Sequence, residues 1–162
     1  MNVIGTKWIF KKKFNEHGHV TRNKDRLLCK GYAQVEGVDF EEIFAHVERL
    51  KTIRMFLAFA CYKNFKVYQM DVKYAFLNGE LEEEVYIKQP EGFLLSENIN
   101  YVCKLKKALY GLKQAPRAWF SRLDNYLKHQ GYKRGATDSD LYIKFENENM
   151  IIVVVYVDDI IF

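Results

Sequence analysis

The chain has 162 residues, of which 49% are hydrophobic and 15% aromatic. This composition excludes a disordered polymer and predicts one domain with its own core. The net charge is only +4, but segments 1–30 and 101–135 are strongly basic and segment 80–97 is acidic. Two basic blocks suit a polyanion such as nucleic acid, although each block alone is more often ordinary solvated surface.

The first predicted element is a basic β-hairpin, in which segments 6–14 and 19–30 are strands and the turn-rich tetrad 15–18 joins them. A helix is predicted over 52–62, with Thr52 as its N-cap. Its apolar residues fall at helical spacing and predict one buried stripe: Ile53, Phe56, Leu57, Ala60 and Cys61.

Segment 65–71 is predicted to be a strand, and a second helix is predicted from Pro116 to about residue 130, ended by Gly131. The buried stripe of that helix is predicted to contain Trp119, Leu123, Tyr126 and Leu127. Strands at 141–145 and 150–157 complete the pattern. The implied fold class is α+β, an antiparallel sheet backed by helices with the basic hairpin projecting from it.

Cysteine usage and hydropathy indicate which cellular compartment suits the chain and whether a membrane partner is expected. Its three cysteines are widely spaced and form no C-x-x-C pair, which supports neither a disulfide framework nor a zinc site and fits a reducing compartment. The longest apolar run is too short to span a bilayer and the N-terminus has no signal-peptide pattern, so no membrane partner is expected.

Two adjacent aspartates, Asp158 and Asp159, interrupt the most apolar run of the chain. Neighbouring carboxylates beside buried β-branched residues repel each other and lose hydration, so cations or hydrogen-bond donors are expected to neutralise them. A simple hairpin turn is the alternative, because aspartate suits turns. Asp71 ends another apolar stretch, and the three carboxylates together predict a divalent metal site at strand ends.

The sequence after the aspartate pair is the short apolar segment 160–162. Such a segment is too short to pair well, so the turn that carries the aspartates is expected to fray. The sequence stops inside a strand pattern, and we expect it to be a piece of a longer protein.

Three sequence blocks resemble the copia-type reverse transcriptases of long-terminal-repeat retrotransposons. The blocks are Tyr156-Val157-Asp158-Asp159, the segment 69–77 that begins Gln69-Met70-Asp71-Val72, and the segment 109–119, which reads L-Y-G-L-K-Q-A-P-R-A-W. Further matches lie at 7–8, 26–32, 44–49, 53–54 and 86–93. The resemblance therefore covers essentially the whole chain, and the order of the three blocks makes it specific.

The resemblance implies the fingers and palm of a right-hand polymerase, truncated before the thumb. One domain fragment is expected, with 1–62 mainly fingers, 63–80 and 132–162 palm, and 81–131 mixed. The implied function is that of an RNA-directed DNA polymerase. Its partners would be an RNA or DNA template with primer, deoxynucleoside triphosphates and the remaining segments of a Pol polyprotein.

The resemblance also implies roles for individual residues. Asp71, Asp158 and Asp159 would hold two Mg²⁺ ions, or Mn²⁺, with Asp71 and Asp158 contributing most directly. We therefore expect these carboxylates to converge in space.

Further residues match the nucleotide-binding positions of the family. Phe76 matches the aromatic gate that excludes a ribose 2′-hydroxyl, although a core role beside Leu77 is the alternative. Gln114 matches a glutamine that meets the incoming nucleotide. Triphosphate contacts are implied for three residues of the fingers hairpin: Lys24, Arg26 and Lys30.

Some positions depart from the family pattern. Tyr74 and Glu48 stand where small residues are usual, and His46 stands where proline is usual. The thumb and ribonuclease H regions would follow Phe162. The alternative function is therefore a non-catalytic nucleic-acid-binding remnant of a decayed element. A metal-dependent phosphohydrolase is disfavoured by the basic hairpin and by the block at 109–119.

Overall fold

The computed structural model describes residues 2–43, 50–94, 100–147 and 149–162. In these ranges the chain forms ten strands and two α-helices, with these bounds: β1 Val3–Ile4, β2 Thr6–Phe14, β3 Val20–Cys29, α1 Leu50–Lys63, β4 Gln69–Asp71, β5 Tyr86–Lys88, β6 Val102–Lys104, α2 Ala115–His129, β7 Lys133–Arg134, β8 Leu141–Glu146, β9 Asn149–Tyr156 and β10 Asp159–Ile161. The predicted α+β class with mostly antiparallel sheets is confirmed. None of the described helices is long and apolar enough to cross a membrane.

The chain divides into two compact units. Unit one contains Met1–Phe44 and Phe76–Ala118, and unit two contains Ala45–Ala75 and Trp119–Phe162. The division into fingers, palm and mixed segments stays a prediction. The unusual positions His46 and Glu48 lie outside the described residues.

Strands β2 and β3 of unit one pair antiparallel over their whole length and form the β2–β3 ribbon. Asn15 shapes the turn, because its Oδ1 accepts hydrogen bonds from the backbone N–H groups of His17 at 3.0 Å and His19 at 2.8 Å. Gly18 has a φ of 77°, which glycine adopts without a Cβ penalty. The predicted hairpin is thus confirmed.

The core of unit one forms around a three-stranded sheet in which β5 pairs parallel with β1 and antiparallel with β6. Seven buried residues form this core: Ile4, Cys29, Val85, Ile87, Ala108, Leu112 and Ala115. Burial raises the pKa of the Cys29 thiol to about 11, so this cysteine is an inert part of the packing.

Two glycines allow the end of β3 to cross the loop before α2 in close backbone contact. The Cys29 N–H donates to the Tyr110 carbonyl at 2.8 Å. A Cβ on Gly31 would lie 1.9 Å from the Gly111 carbonyl oxygen, and a Cβ on Gly111 would lie 2.2 Å from the Cys29 carbonyl oxygen. Any side chain at these positions would therefore separate the β2–β3 ribbon from the loop.

Unit two is built on a five-stranded antiparallel sheet in the order β4-β10-β9-β8-β7. The centre of the sheet is apolar, with Val153, Val154 and Val155 of β9 all buried. Helix α1 packs against β9. Helix α2 agrees with its prediction, and Gly131 after it has a φ of 85°.

Several local predictions were wrong because tertiary packing decided them. Thr52 lies inside α1, and its hydroxyl donates to the Asp138 carboxylate instead of capping the helix. In the predicted buried stripes, Leu57 is 45% exposed and Tyr126 is 61% exposed, and Cys61 is exposed as well. Strand β4 covers only Gln69–Asp71 of the predicted 65–71.

A buried carboxylate connects α2 to the sheet of unit two. Asp124 is 8% exposed, and it accepts hydrogen bonds from the Tyr142 hydroxyl at 2.8 Å and from Lys128 Nζ at 2.6 Å. Burial alone would raise the pKa of Asp124. The hydrogen bonds from Lys128 and Tyr142, together with the charges of Lys128 and Arg134, outweigh burial and lower this pKa below its ordinary value.

We expect Asp124 to stabilise the fold in a pH-dependent way. Because its folded-state pKa lies below the unfolded value of about 3.9, its contribution is complete above that pH and disappears as the pH falls through the folded-state pKa. Tyr142→Phe removes a hydrogen bond to this charge and should lower the free energy of unfolding at pH 7 by about 1.5 to 3 kcal/mol.

Urea denaturation between pH 7 and pH 2.5 measures this effect. The loss of unfolding free energy caused by Tyr142→Phe should be smaller near pH 2.5 than at pH 7. Tyr126→Phe serves as the control, because Tyr126 has an exposed ring on α2, the helix that carries Asp124, and this variant should have the stability of the parent chain. A deficit that stays constant with pH would contradict a role for the Asp124 charge.

Candidate active site

The turn between β9 and β10 carries the aspartate pair. Tyr156 of β9 pairs with Asp159 of β10, which leaves Val157 and Asp158 as a two-residue loop. Val157 has a φ of 51°, in the left-handed region that a β-branched residue rarely occupies. Such a conformation costs on the order of 1–3 kcal/mol and persists only where its surroundings hold it.

Two hydrogen bonds hold this turn. The Trp119 indole Nε1–H donates to the Val157 carbonyl oxygen at 2.6 Å. The Val72 backbone N–H donates to the Asp158 carbonyl oxygen at 2.7 Å. Successive carbonyl groups of the turn are thereby fixed to two separate segments, helix α2 and the residue after β4.

The register of β4 and β10 brings the predicted carboxylates together at the backbone. Asp71, the last residue of β4, lies directly opposite Asp159, the first residue of β10, so their side chains project from the same face of the sheet. Asp158 immediately precedes Asp159, and its carbonyl oxygen accepts the hydrogen bond from the Val72 N–H. The expectation that segment 160–162 would be too short to pair well was wrong, because β10 pairs with β9 on one side and with β4 on the other.

The side chains of this cluster are not arranged as a metal cage. Among the residues that the structure describes, no three His, Cys, Asp or Glu side chains are grouped so that they could hold one ion. Gln69 Nε2 donates to Asp159 Oδ1 at 3.2 Å. The donor chemistry nevertheless fits Mg²⁺, which prefers carboxylate oxygens and keeps several of its waters. Metal binding by these residues stays a prediction.

In unit one, an aromatic ring lies between two of the predicted nucleotide-binding residues. The Arg26 guanidinium lies 5.4 Å from the centre of the Tyr110 ring, and that ring lies 5.1 Å from the centre of the Phe76 ring. Phe76 is partly buried and packs against the core of unit one. The role of Phe76 as a gate against the ribose 2′-hydroxyl stays a prediction. The alternative, a core role, is served by the part of the side chain that packs in unit one.

Gln114 lies in a buried amide network that the sequence did not reveal. It is 1% exposed. Its Nε2 donates to the Asp39 carbonyl at 2.8 Å, and its Oε1 accepts from Gln34 Nε2 at 2.9 Å. Gln34 Oε1 in turn accepts from the Lys113 N–H at 2.8 Å. A nucleotide contact by Gln114 would have to displace part of this network, and that role stays a prediction.

The β2–β3 ribbon has two chemically different faces. Lys11 lies opposite Lys24, and Lys13 lies opposite Arg22. Because opposed residues and every second residue share a face, six basic side chains form one basic face: Lys7, Lys11, Lys13, Arg22, Lys24 and Arg26. Lys30 lies beyond β3, where its backbone N–H donates to the Gly5 carbonyl at 2.8 Å. The alternation of charge in the sequence could have predicted this face.

Comparison with known proteins shows which family the chain resembles. A family model described as "Reverse transcriptase (RNA-dependent DNA polymerase)" matches residues 1–162. The chain is 44% identical over 161 residues to the "Retrovirus-related Pol polyprotein from transposon RE1" of Arabidopsis thaliana, covering 99% of this chain and 11% of that polyprotein. It is 46% identical over 156 residues to the corresponding polyprotein from transposon TNT 1-94 of Nicotiana tabacum, covering 96% of this chain and 12% of the polyprotein.

A more distant relative is the "Transposon Ty1-DR4 Gag-Pol polyprotein" of Saccharomyces cerevisiae, which is 27% identical over 128 residues, or 79% of this chain and 8% of that protein. No solved structure matches the chain. The chain spans only about a ninth of the plant polyproteins that it matches. Because the family model covers the whole sequence and identity to the plant proteins reaches 44–46%, the chain belongs to the reverse transcriptase family of copia-type retrotransposon Pol polyproteins.

Proposed function

We propose that this chain is the part of an RNA-directed DNA polymerase that binds the catalytic metal ions and the incoming nucleotide. The observation that carries the proposal is the register of β4 and β10, which sets Asp71 opposite Asp159 with Asp158 beside them. The reaction is nucleotidyl transfer from a deoxynucleoside triphosphate to a primer 3′-hydroxyl. The template is RNA or DNA, and the other segments of a Pol polyprotein are its partners.

In this proposal Asp71, Asp158 and Asp159 hold two Mg²⁺ ions. Bound divalent ions supply activation of the primer hydroxyl and charge neutralisation at the leaving pyrophosphate. The chain's own contribution is to set the backbones of the three aspartates beside one another at the adjoining ends of β4 and β10. The paired strands and the two hydrogen bonds to the turn provide that positioning.

Unit one carries the residues proposed to bind the substrates. The basic face of the β2–β3 ribbon supplies positive charge for phosphate groups, and its Lys24 and Arg26, with Lys30, are proposed to contact the triphosphate. Only Arg26 offers a planar fork for two phosphate oxygens. Phe76 is proposed to exclude the ribose 2′-hydroxyl, and Gln114 to position the nucleotide.

A non-catalytic remnant that binds nucleic acid is the second candidate. One observation favours it: Tyr74, between Asp71 and Phe76 in sequence, has a φ of 58°. This left-handed conformation is disfavoured for a residue with a bulky side chain. A decayed copy would tolerate such a residue near its carboxylates, whereas an active one would have to accommodate it.

The carboxylate proposal is tested by exchanging segments. Residues 1–162 replace the matching segment of the Nicotiana tabacum polyprotein, and primer extension with Mg²⁺ is measured. Asp71→Asn and Asp158→Asn should each lower the extension rate about 100-fold or more, because removal of a metal ligand takes away several kcal/mol of transition-state stabilisation.

The control in this experiment is Glu82→Gln, which neutralises an exposed carboxylate of unit one and should extend like the parent. Full activity of Asp71→Asn would contradict the proposed site. An inactive parent chimera, with the unchanged tobacco polyprotein active beside it, would favour the remnant.

The nucleic-acid proposal is tested on the chain itself. Binding of a single-stranded RNA oligonucleotide should weaken as the salt concentration rises. The slope of the logarithm of the association constant against the logarithm of the salt concentration should change by about 0.7 for each phosphate group that the protein no longer neutralises. The combined variant Lys11→Gln, Lys13→Gln and Arg22→Gln removes three charges from the basic face and should reduce the slope by about 2. Fluorescence anisotropy across a salt series gives the slope.

A matched control removes three charges from unit two, through Lys51→Gln, Lys63→Gln and Lys66→Gln. It alters the net charge by the same amount and should leave the slope unchanged. If both triple variants reduce the slope equally, the chain binds RNA through its overall charge, and the basic face has no special part.

A further inference from the structure

The tryptophan that ends the block at 109–119 reaches the turn that carries the aspartates. Trp119 lies in the second turn of α2 and is 7% exposed. Its Nε1–H donates to the Val157 carbonyl oxygen at 2.6 Å. An indole N–H has no acceptor function, and a buried one normally requires a partner. Here that partner is the backbone of the proposed metal-binding turn.

Val157 is the residue of the turn that most needs such support. Its φ of 51° is unfavourable for a β-branched side chain. Rotation about the N–Cα bond of Val157, the bond whose torsion is φ, would relieve this strain. The same rotation would carry the Val157 carbonyl away from Trp119 and would turn Asp158 relative to its present direction.

The structure thus assigns Trp119 as a positioning residue: its indole N–H locks the peptide before Asp158 and so fixes the direction of the Asp158 carboxylate. This inference rests on the proposed function of the aspartates. The Val72 N–H holds the next carbonyl, that of Asp158, at 2.7 Å. With both carbonyls fixed, the turn keeps its strained form and the backbone of Asp158 stays beside the end of β4, as an oriented metal ligand requires.

A purely structural role for Trp119 makes a different prediction. As a core side chain it would contribute through the volume of its ring system, and removal of the N–H alone would change only stability. As a positioning residue it acts through the hydrogen bond, so removal of the N–H at constant shape should weaken metal binding while the fold remains.

The test replaces Trp119 by benzothienylalanine, in which sulfur takes the place of the N–H and the shape is nearly kept. Mn²⁺ affinity of the chain is measured by electron paramagnetic resonance, and folding by circular dichroism and urea denaturation. We expect Mn²⁺ to bind about 10- to 100-fold more weakly, the reduction usual for groups that orient metal ligands, with the folded signal retained.

Trp8 is a matched control, because its Nε1–H also donates to a backbone carbonyl, that of Glu91 at 3.0 Å, and it belongs to unit one. Benzothienylalanine at position 8 should leave Mn²⁺ affinity unchanged. In the chimeric polymerase, the change at Trp119 should lower kcat and leave KM for the nucleotide nearly constant, since the residues proposed to bind the nucleotide are not altered.

Each outcome decides the inference. Unchanged Mn²⁺ affinity in a folded Trp119 variant would overturn it, and so would a variant that no longer folds, because the N–H would then serve folding and not the site. Failure of the proposed function is separate: in that case the parent chain would not bind Mn²⁺ and Asp71→Asn would change nothing.

Discussion

The double pairing of β10 is the interaction on which the candidate site depends. This strand has only three residues, Asp159–Ile161, yet it pairs with β9 on one side and β4 on the other. Its register brings Asp71 opposite Asp159, and a slip of one residue would turn one of the two to the other face of the sheet. Backbone hydrogen bonds, made regardless of side chain, therefore bring like charges together that would otherwise separate.

Hydrogen bonds outside the strand pairs then fix what the sheet leaves adjustable. The turn at Val157 and Asp158 is strained, and Trp119 and Val72 hold its two carbonyl groups. In unit one, glycines at 31 and 111 play a comparable part, because they let the β2–β3 ribbon bond to the loop at Tyr110. In each unit, a hydrogen bond to a backbone carbonyl joins two of the sequence blocks that carry the family resemblance: Trp119 to Val157 in unit two and Cys29 to Tyr110 in unit one.

Local signals made part of this structure predictable from sequence. The ribbon and α2 were predicted closely, because alternation, turn residues, Pro116 and Gly131 act within a few residues. The double pairing of β10, the buried bonds of Gln114 and the exposure of Tyr126 were not predicted, because distant segments decide them. The positions of the three aspartates beside apolar runs predicted a metal site, with a simple hairpin turn as the alternative for the adjacent pair, and the family resemblance then implied their roles.

Anomalous diffraction from crystals of the chain soaked with Mn²⁺ would show whether the pairing of β4 with β10 builds a metal site. We expect a peak in contact with carboxylate oxygens of Asp71 and Asp158, at roughly 2 Å, close to the Mg²⁺–oxygen distance. A peak confined to other residues, or none at saturating Mn²⁺ with the β4–β10 register intact, would contradict the claim that this pairing builds a metal site.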